Sequence, residues 1–338
     1  MRVQPTTWRR NVALLLIGAL LLTACGTGST GGANTPTTVR TGYIPLMIYA
    51  PLYVGIERGF FAEEGLQVEL TQIASGNDAL VQLAAGTFDV ALGGAGAGLF
   101  NAAQRGVKFS LVAPLHSEQP PVTTPLVISA KRSGEITSVA DLKGMRVAVN
   151  AKGTATEYWL QQALATGGLT IADVDLQGVP FADVPAALES GSLDAAILAE
   201  PGMTINKQKG VISVLSDDFI SGFAPTYLYM GDALLSVQPE VGKAFMRAYL
   251  RACRELQGPW SDEVAQIVEK YTKVPAAVVK QANRPLYDPN GRISLDNLNT
   301  LQAFFLERGE LTYNEQLDIK AFVNTSLADE AAKALDAK

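Results

Sequence analysis

Histidine and cysteine are nearly missing from this chain, with one His and two Cys in 338 residues. A zinc site draws most of its ligands from those two types, so no zinc cluster of standard spacing can be assembled. Two cysteines make no disulfide framework either. No G-x-S-x-G elbow and no glycine-rich P-loop occurs, which removes the commonest signatures of acyl and phosphoryl transfer. Positive charge is the scarcer sign, 27 Lys and Arg against 33 Asp and Glu, and a net charge of −6 argues against a nucleic-acid partner. Beyond the first 25 residues no apolar run approaches the roughly 20 residues that a membrane-spanning helix needs. The inventory points to neither a metal centre nor a catalytic cluster.

The front of the chain is patterned differently. Arg9 and Arg10 precede an apolar run from Val12 to Leu22, followed by the small residues Thr23 and Ala24 and then Cys25. A charged start, a short apolar run and small residues form a secretory signal, expected over residues 1–24. Leu22-Thr23-Ala24-Cys25 is similar to the lipobox of bacterial lipoproteins, which implies cleavage before Cys25 and a lipid on its sulfur. Residues 25–38, rich in Gly, Ser and Thr, then read as a flexible tether. The expectation is a globular body on the outer face of the cell membrane, held there by the lipid anchor alone. Cys253, in the apolar pattern of "VGKAFMRAYLRACREL", reads as a buried free thiol.

From Val39 onward, about 300 residues are enough for two ordinary domains. Short apolar runs ("VRTGYI", "QVEL", "FDVAL", "FSLVA") alternate with helical stretches, the pattern of a parallel sheet with helices on its faces. The unit recurs, since "LAAGTFDVAL" (83–92) aligns without gaps to "LESGSLDAAI" (188–197). In both copies a glycine, Gly86 or Gly191, ends a helix. An aspartate, Asp89 or Asp194, then opens a buried strand and is read as fixing the turn. Two α/β lobes follow from this duplication. Lobe 1 is expected over 39–126 and 228–338, with lobe 2 (127–227) inserted through crossings near Pro125 to Ile128 and Pro225 to Tyr229. Everything after about Gly231 reads as helix and is expected to complete lobe 1.

The stretches "APLYVGIERGFFAEEGLQVEL", "LAAGTFDVALGGAGA", "DLKGMRVAV" and "ADVPAALESGSLDAAILAEPG" resemble the substrate-binding proteins of bacterial ABC importers. The closest group serves nitrate, taurine and other sulfonates, and thiamine precursors, with a riboflavin-binding branch. The resemblance runs over roughly residues 39–325. It implies a periplasmic-binding-protein-like Venus flytrap, no catalysis and no cofactor, and a monomer that delivers a small molecule to a permease and its ATPase. The same fold also serves as a thiamine-pyrimidine synthase, an enzyme alternative that the single histidine and the missing cysteine cluster weigh against.

In open α/β sheets ligands bind beyond the carboxyl ends of the strands. The loops there are "PLMIYA", "ASGND", "GGAGA" and "PLHSEQ" in lobe 1, and "NAKGTATEYW", "PFAD" and "AEPG" in lobe 2. They place Met47, Tyr49, Asn77, Gly94, His116, Glu118, Thr154, Thr156, Trp159, Glu200 and Tyr229 as candidate ligand contacts. Three of these have competing structural roles, Thr154, Thr156 and Glu200 as helix caps. One cation, Lys152, stands in these loops against Asp78, Glu118, Asp183 and Glu200. That balance is unfavourable to sulfonate or nitrate. The aromatic set, with Tyr158 and Phe181 added, favours a neutral planar ring. Riboflavin is the first expectation and a thiamine-type pyrimidine the second.

Overall fold

A computed structural model describes residues 35–337. The signal segment, Cys25 and most of the tether lie outside the described residues. The tether gives way earlier than expected, because Thr37 and Thr38 already belong to the first strand.

Two five-stranded sheets carry the architecture. The first contains β1 (Thr37–Tyr43), β2 (Leu66–Gln72), β3 (Val90–Gly94), β4 (Phe109–Glu118) and β10 (Phe223–Gly231) in the order β2-β1-β3-β10-β4. The second contains β5 (Leu126–Ser129), β6 (Arg146–Val149), β7 (Asp175–Gly178), β8 (Ala195–Ile197) and β9 (Ile212–Ser216) in the order β7-β6-β8-β5-β9. The two orders correspond position by position. In each, four strands run parallel, while the fourth in the order is antiparallel to both its neighbours. The alternating strand–helix pattern pointed to parallel sheets. The antiparallel member departs from that because it is the strand arriving from the other lobe, not the product of a local crossover. Thus β5 enters lobe 2 from lobe 1, and β10 returns.

The crossings are therefore 119–125 and 217–222, and Phe223–Tyr227 sit with lobe 1 instead of lobe 2. They touch one another, the Val122 N–H donating to the Asp217 carbonyl at 2.9 Å. Proline and β-branched residues at 125–128 and 225–229 signalled an extended chain correctly, but that chain is strand and not crossing.

The repeated unit has a shared anchor. Asp89 accepts from the backbone N–H of Arg40 (2.9 Å) and from its guanidinium Nε (3.0 Å). Asp194 does the same with Arg146, at 2.9 and 3.0 Å. Each pair ties the start of one parallel strand to its neighbour. Gly86 and Gly191, with φ of 71° and 76°, occupy the left-handed region that ends the preceding helix at least cost to glycine.

After β10 the secondary structure is helical. Helix Pro239–Glu255 starts with proline, whose missing N–H costs nothing there, and buries Phe245, Tyr249 and Cys253 on one face. It packs on helices Ala50–Glu57, Phe60–Glu63 and Ser326–Asp336, with Phe245 against Phe61 of the second at 4.9 Å between ring centres. Cys253 is a buried free thiol, and burial pushes its pKa upward. These helices cover lobe 1.

Candidate ligand cleft

The carboxyl ends of β1 and β3 face the loops that follow β6 and β8, and a cleft of about 570 Å³, counting its mouth, lies between them. Lobe 1 lines it with Ile44, Leu46, Ile48 and Tyr49, with the backbone of Gly76, Gly93 and Gly94, and with His116, Glu118, Pro225 and Thr226. The crossing contributes Thr124. Lobe 2 supplies Asn150, Thr154, Ala155, Thr156, Trp159, Phe181 and Ala199. Neither lysine nor arginine is among the described lining residues, and Lys152 is exposed and borders a different hollow.

His116 and Glu118 lie on the end of β4 and not in a loop as expected, because the strand continues to Glu118. Both are buried, at 3% and 1% exposure. Glu118 accepts from the Thr123 N–H at 2.7 Å and faces His116 Nε2 at 3.2 Å. His116 Nδ1 is 2.5 Å from the Thr226 hydroxyl. A neutral imidazole protonated on Nε2 satisfies both contacts, donating to Glu118 and accepting from Thr226. The Gly222 N–H donates to the Glu118 carbonyl at 2.8 Å, so this pair also binds the two crossings together.

In lobe 2, Asn150 Oδ1 lies 3.0 Å from the Thr154 hydroxyl and 2.7 Å from that of Thr156. Thr154 occupies the N-cap position of helix Ala155–Ala165, yet its hydroxyl does not cap the helix. It bonds Asn150 and the Ala151 carbonyl instead. The expected capping role is overturned because the hydroxyl is turned toward these acceptors as a donor, and its oxygen receives no N–H of the first turn.

Trp159 is 2% exposed and its indole N–H has no hydrogen-bond partner within the protein. Its ring meets Tyr158 and Phe223 edge to face, at 6.4 and 5.9 Å. Tyr158 stacks on Phe223 at 4.9 Å and meets Phe304 edge-on at 5.4 Å. These aromatics, expected to grip a ring, are largely spent on packing one lobe against the other.

Other candidates stand elsewhere. Tyr49 lines the cleft and its hydroxyl donates to the Leu92 carbonyl at 2.9 Å. Tyr229 lies behind the lining and donates to the Gly93 carbonyl. Met47 is in the core of lobe 1, and its N–H donates to the Glu200 carbonyl across the lobes at 3.2 Å. Asn77 borders the hollow next to Lys152 and Glu157. Glu200 lies outside the lining and caps helix Gly202–Gln208, accepting from the Thr204 N–H (3.0 Å) and hydroxyl (2.8 Å), and from the Asn283 N–H (3.0 Å). Burial raises its pKa, although these bonds pull it down. Sequence reasoning missed Asn150, Thr124 and Thr226, whose placement depends on strand ends and a crossing that local pattern does not mark.

The glycines at the end of β3 have a specific duty. A Cβ on Gly96 would lie 2.3 Å from the Gly153 carbonyl oxygen of lobe 2, and one on Gly94 would lie 2.9 Å from the Ala155 Cβ. The Ala97 N–H donates to that same Gly153 carbonyl at 2.9 Å. Backbone meets backbone here, so the lobes are shut on one another.

Comparison with known proteins agrees with this architecture. The model of the NMT1-like family matches residues 32–271. The riboflavin-binding protein RibY of Chloroflexus aurantiacus is 29% identical over 262 residues, covering 72% of this chain and 72% of its own. The nitrate/nitrite binding protein NrtA of Synechococcus elongatus is 23% identical over 342 residues, covering 87% of this chain and 76% of its own. A solved structure from Bordetella bronchiseptica RB50, 26% identical, superposes with a TM-score of 0.71 over 89% of this chain and 99% of that one.

Proposed function

This chain belongs to the NMT1-like family of extracytoplasmic solute-binding proteins that serve ABC importers, and from that premise we propose that it captures a neutral, planar heterocycle, riboflavin before a thiamine-type pyrimidine. It is a binding protein, as RibY and NrtA are by name. The single observation that carries the ligand class is the charge of the lining, which holds the carboxylate of Glu118 and no lysine or arginine among its described members. An oxyanion placed beside a buried carboxylate, with no lysine or arginine in the lining to offset it, meets both repulsion and desolvation. A neutral ring with a carbonyl or ring-nitrogen acceptor meets neither. It also supplies what the buried Trp159 N–H lacks, since an unmade bond at a buried donor costs about 1–3 kcal/mol. Apolar walls from Ile44, Leu46, Ile48 and Phe181 suit the faces of such a ring.

A second reading, an oxyanion such as nitrate or an alkanesulfonate, has broader support among relatives, of which NrtA is one. It would have to rely on hydroxyl and backbone donors such as Thr124, Thr156 and the strand-end glycines. Titrating riboflavin fluorescence against the purified protein tests the first reading, because contact with Tyr or Trp rings quenches the flavin. Saturable calorimetric binding of taurine or nitrate, with no riboflavin quenching, establishes the second instead.

The body is further proposed to be a monomer anchored through a lipid on Cys25, beside the permease and ATPase that receive its solute. Cys25→Ser should then move the protein out of the membrane fraction. Its retention there with unchanged mobility would discard the anchor.

A further inference from the structure

Away from the ligand cleft, the seam between the lobes contains two acidic side chains from opposite sides. Glu157 belongs to helix Ala155–Ala165 of lobe 2, whereas Glu310 follows helix Leu295–Glu307, which belongs to lobe 1. Glu157 is 1% exposed. Its Oε1 accepts from the Gly153 N–H at 2.7 Å. The remaining oxygen of each carboxylate, Oε2 in both cases, is buried without a hydrogen-bond donor. Arg308 stands beside them, Nε 2.7 Å from Glu310 Oε1 and one terminal nitrogen 2.9 Å from Glu157 Oε2. The second contact is an ion pair whose angle leaves that oxygen without a true hydrogen bond. Lys152 borders the same hollow but is exposed, and the facing helix ends contribute the uncharged Asn77, Ala97 and Gly98. Two carboxylates thus meet one guanidinium, Glu157 buried and Glu310 and Arg308 each about a quarter exposed.

We propose that Glu157 and Glu310 share one proton when the lobes are shut, so that closure of this protein takes up a proton. A proton between the two orphaned oxygens converts a repulsive pair into a hydrogen bond and leaves one negative charge for Arg308 to balance. Opening the seam returns Glu157 to water, where the sharing ends.

The titration of Glu157 agrees in direction. Burial pushes its carboxyl up to about 7, and the neighbouring Glu310 adds to this, while the Gly153 N–H and Arg308 act the other way. The value is raised in the shut state above the ordinary 4.5 that an exposed glutamate has. The contribution to closure is therefore complete below about pH 4.5 and is lost as pH rises through about 7. Within that window one proton changes the shut-to-open ratio by at most about tenfold per pH unit. Any solute that holds the lobes shut inherits the dependence, because coupling between proton and solute is reciprocal. The inference does not depend on which solute the cleft takes.

Two measurements on the full chain without added solute test it. In a carbon-13 titration of the glutamate carboxyls, the resonance lost in Glu157→Gln should have its midpoint near 7. Small-angle scattering should give a smaller radius of gyration at about pH 5 than at about pH 8. Glu157→Gln imitates the protonated form and keeps the Gly153 bond, so it should stay compact at both. Glu310→Gln should behave likewise, which guards against a folding defect in one variant. A Glu157 midpoint at the ordinary glutamate value, or a pH-dependent radius that persists in both variants, would overturn the proposal.

Discussion

Lobe 1 and lobe 2 are two versions of one scaffold with different cleft chemistry. Strand order, direction and the Arg–Asp anchor match, Arg40 with Asp89 in one and Arg146 with Asp194 in the other. At the cleft the likeness ends. Lobe 1 presents bare backbone at Gly93 and Gly94 and a buried His116–Glu118 pair, whereas lobe 2 presents the hydroxyls of Thr154 and Thr156, the amide of Asn150 and the indole of Trp159. Scaffold positions are held by backbone geometry that any copy must satisfy. Residues beyond the strand ends are free to diverge, and that is where recognition resides.

The comparison breaks most visibly where the lobes touch. Gly96 has φ −94° and ψ −179°, ordinary extended backbone, so a side chain there strains nothing within lobe 1. The atoms nearest its Cβ would be the backbone of Gly153 and Thr154 in lobe 2. If riboflavin is the solute, as proposed, Gly96→Val should weaken its binding by about a hundredfold, the upper end of overpacking costs. It should also abolish compaction on binding, yet leave the thermal unfolding midpoint close to wild type. Equal losses of binding and of fold stability would mean that Gly96 serves lobe 1 itself.

The anchors offer a matched test. Asp89→Asn and Asp194→Asn should each cost about 1.5–3 kcal/mol in urea unfolding, the range for hydrogen bonds to a charged group. Asp194 should cost more, because it also pairs with Arg132. Burial raises the Asp194 pKa, but the Arg146 side-chain and backbone bonds outweigh it and the net shift is downward. Its contribution is therefore present above the ordinary aspartate value of 3.8 and lost as pH falls through the lower folded one. Acid unfolding of wild type and Asp194→Asn should converge below about pH 3.8. Curves that stay parallel there would remove the anchor's ionic part.

A smaller effect separates capping from recognition in lobe 2. Glu200→Ala should cost about 1–2 kcal/mol of stability, as loss of a helix cap does, with riboflavin affinity little changed. A large affinity loss at unchanged stability would return Glu200 to the ligand. Smallest is Trp159→Phe, expected to weaken riboflavin by about fivefold through loss of one neutral hydrogen bond. Unaltered affinity would make Trp159 a packing residue only.

Much of the scaffold could be read directly. The gapless match of 83–92 to 188–197 announced the duplication, and its glycines and aspartates lie where turn chemistry puts them. Their arginine partners passed unnoticed, since each is nearly fifty residues away and only strand pairing brings it close. Cleft residues were partly legible, because a loop that follows a strand can be found from pattern alone. Which side chain turns inward was not, as Glu200 and Met47 illustrate.

Short-range rules therefore determined the strands, the helix ends, the two-lobe plan and the shortage of cations around the cleft, because period, turn chemistry and composition act within a few residues. Tertiary structure alone decided that β5 and β10 run antiparallel to their neighbours and that the aromatics of helix Ala155–Ala165 bridge the lobes. It also decided that Glu157 and Glu310, 153 positions apart in the chain, share Arg308. Those contacts form only when the lobes pack face to face, and no local pattern encodes the meeting of two surfaces.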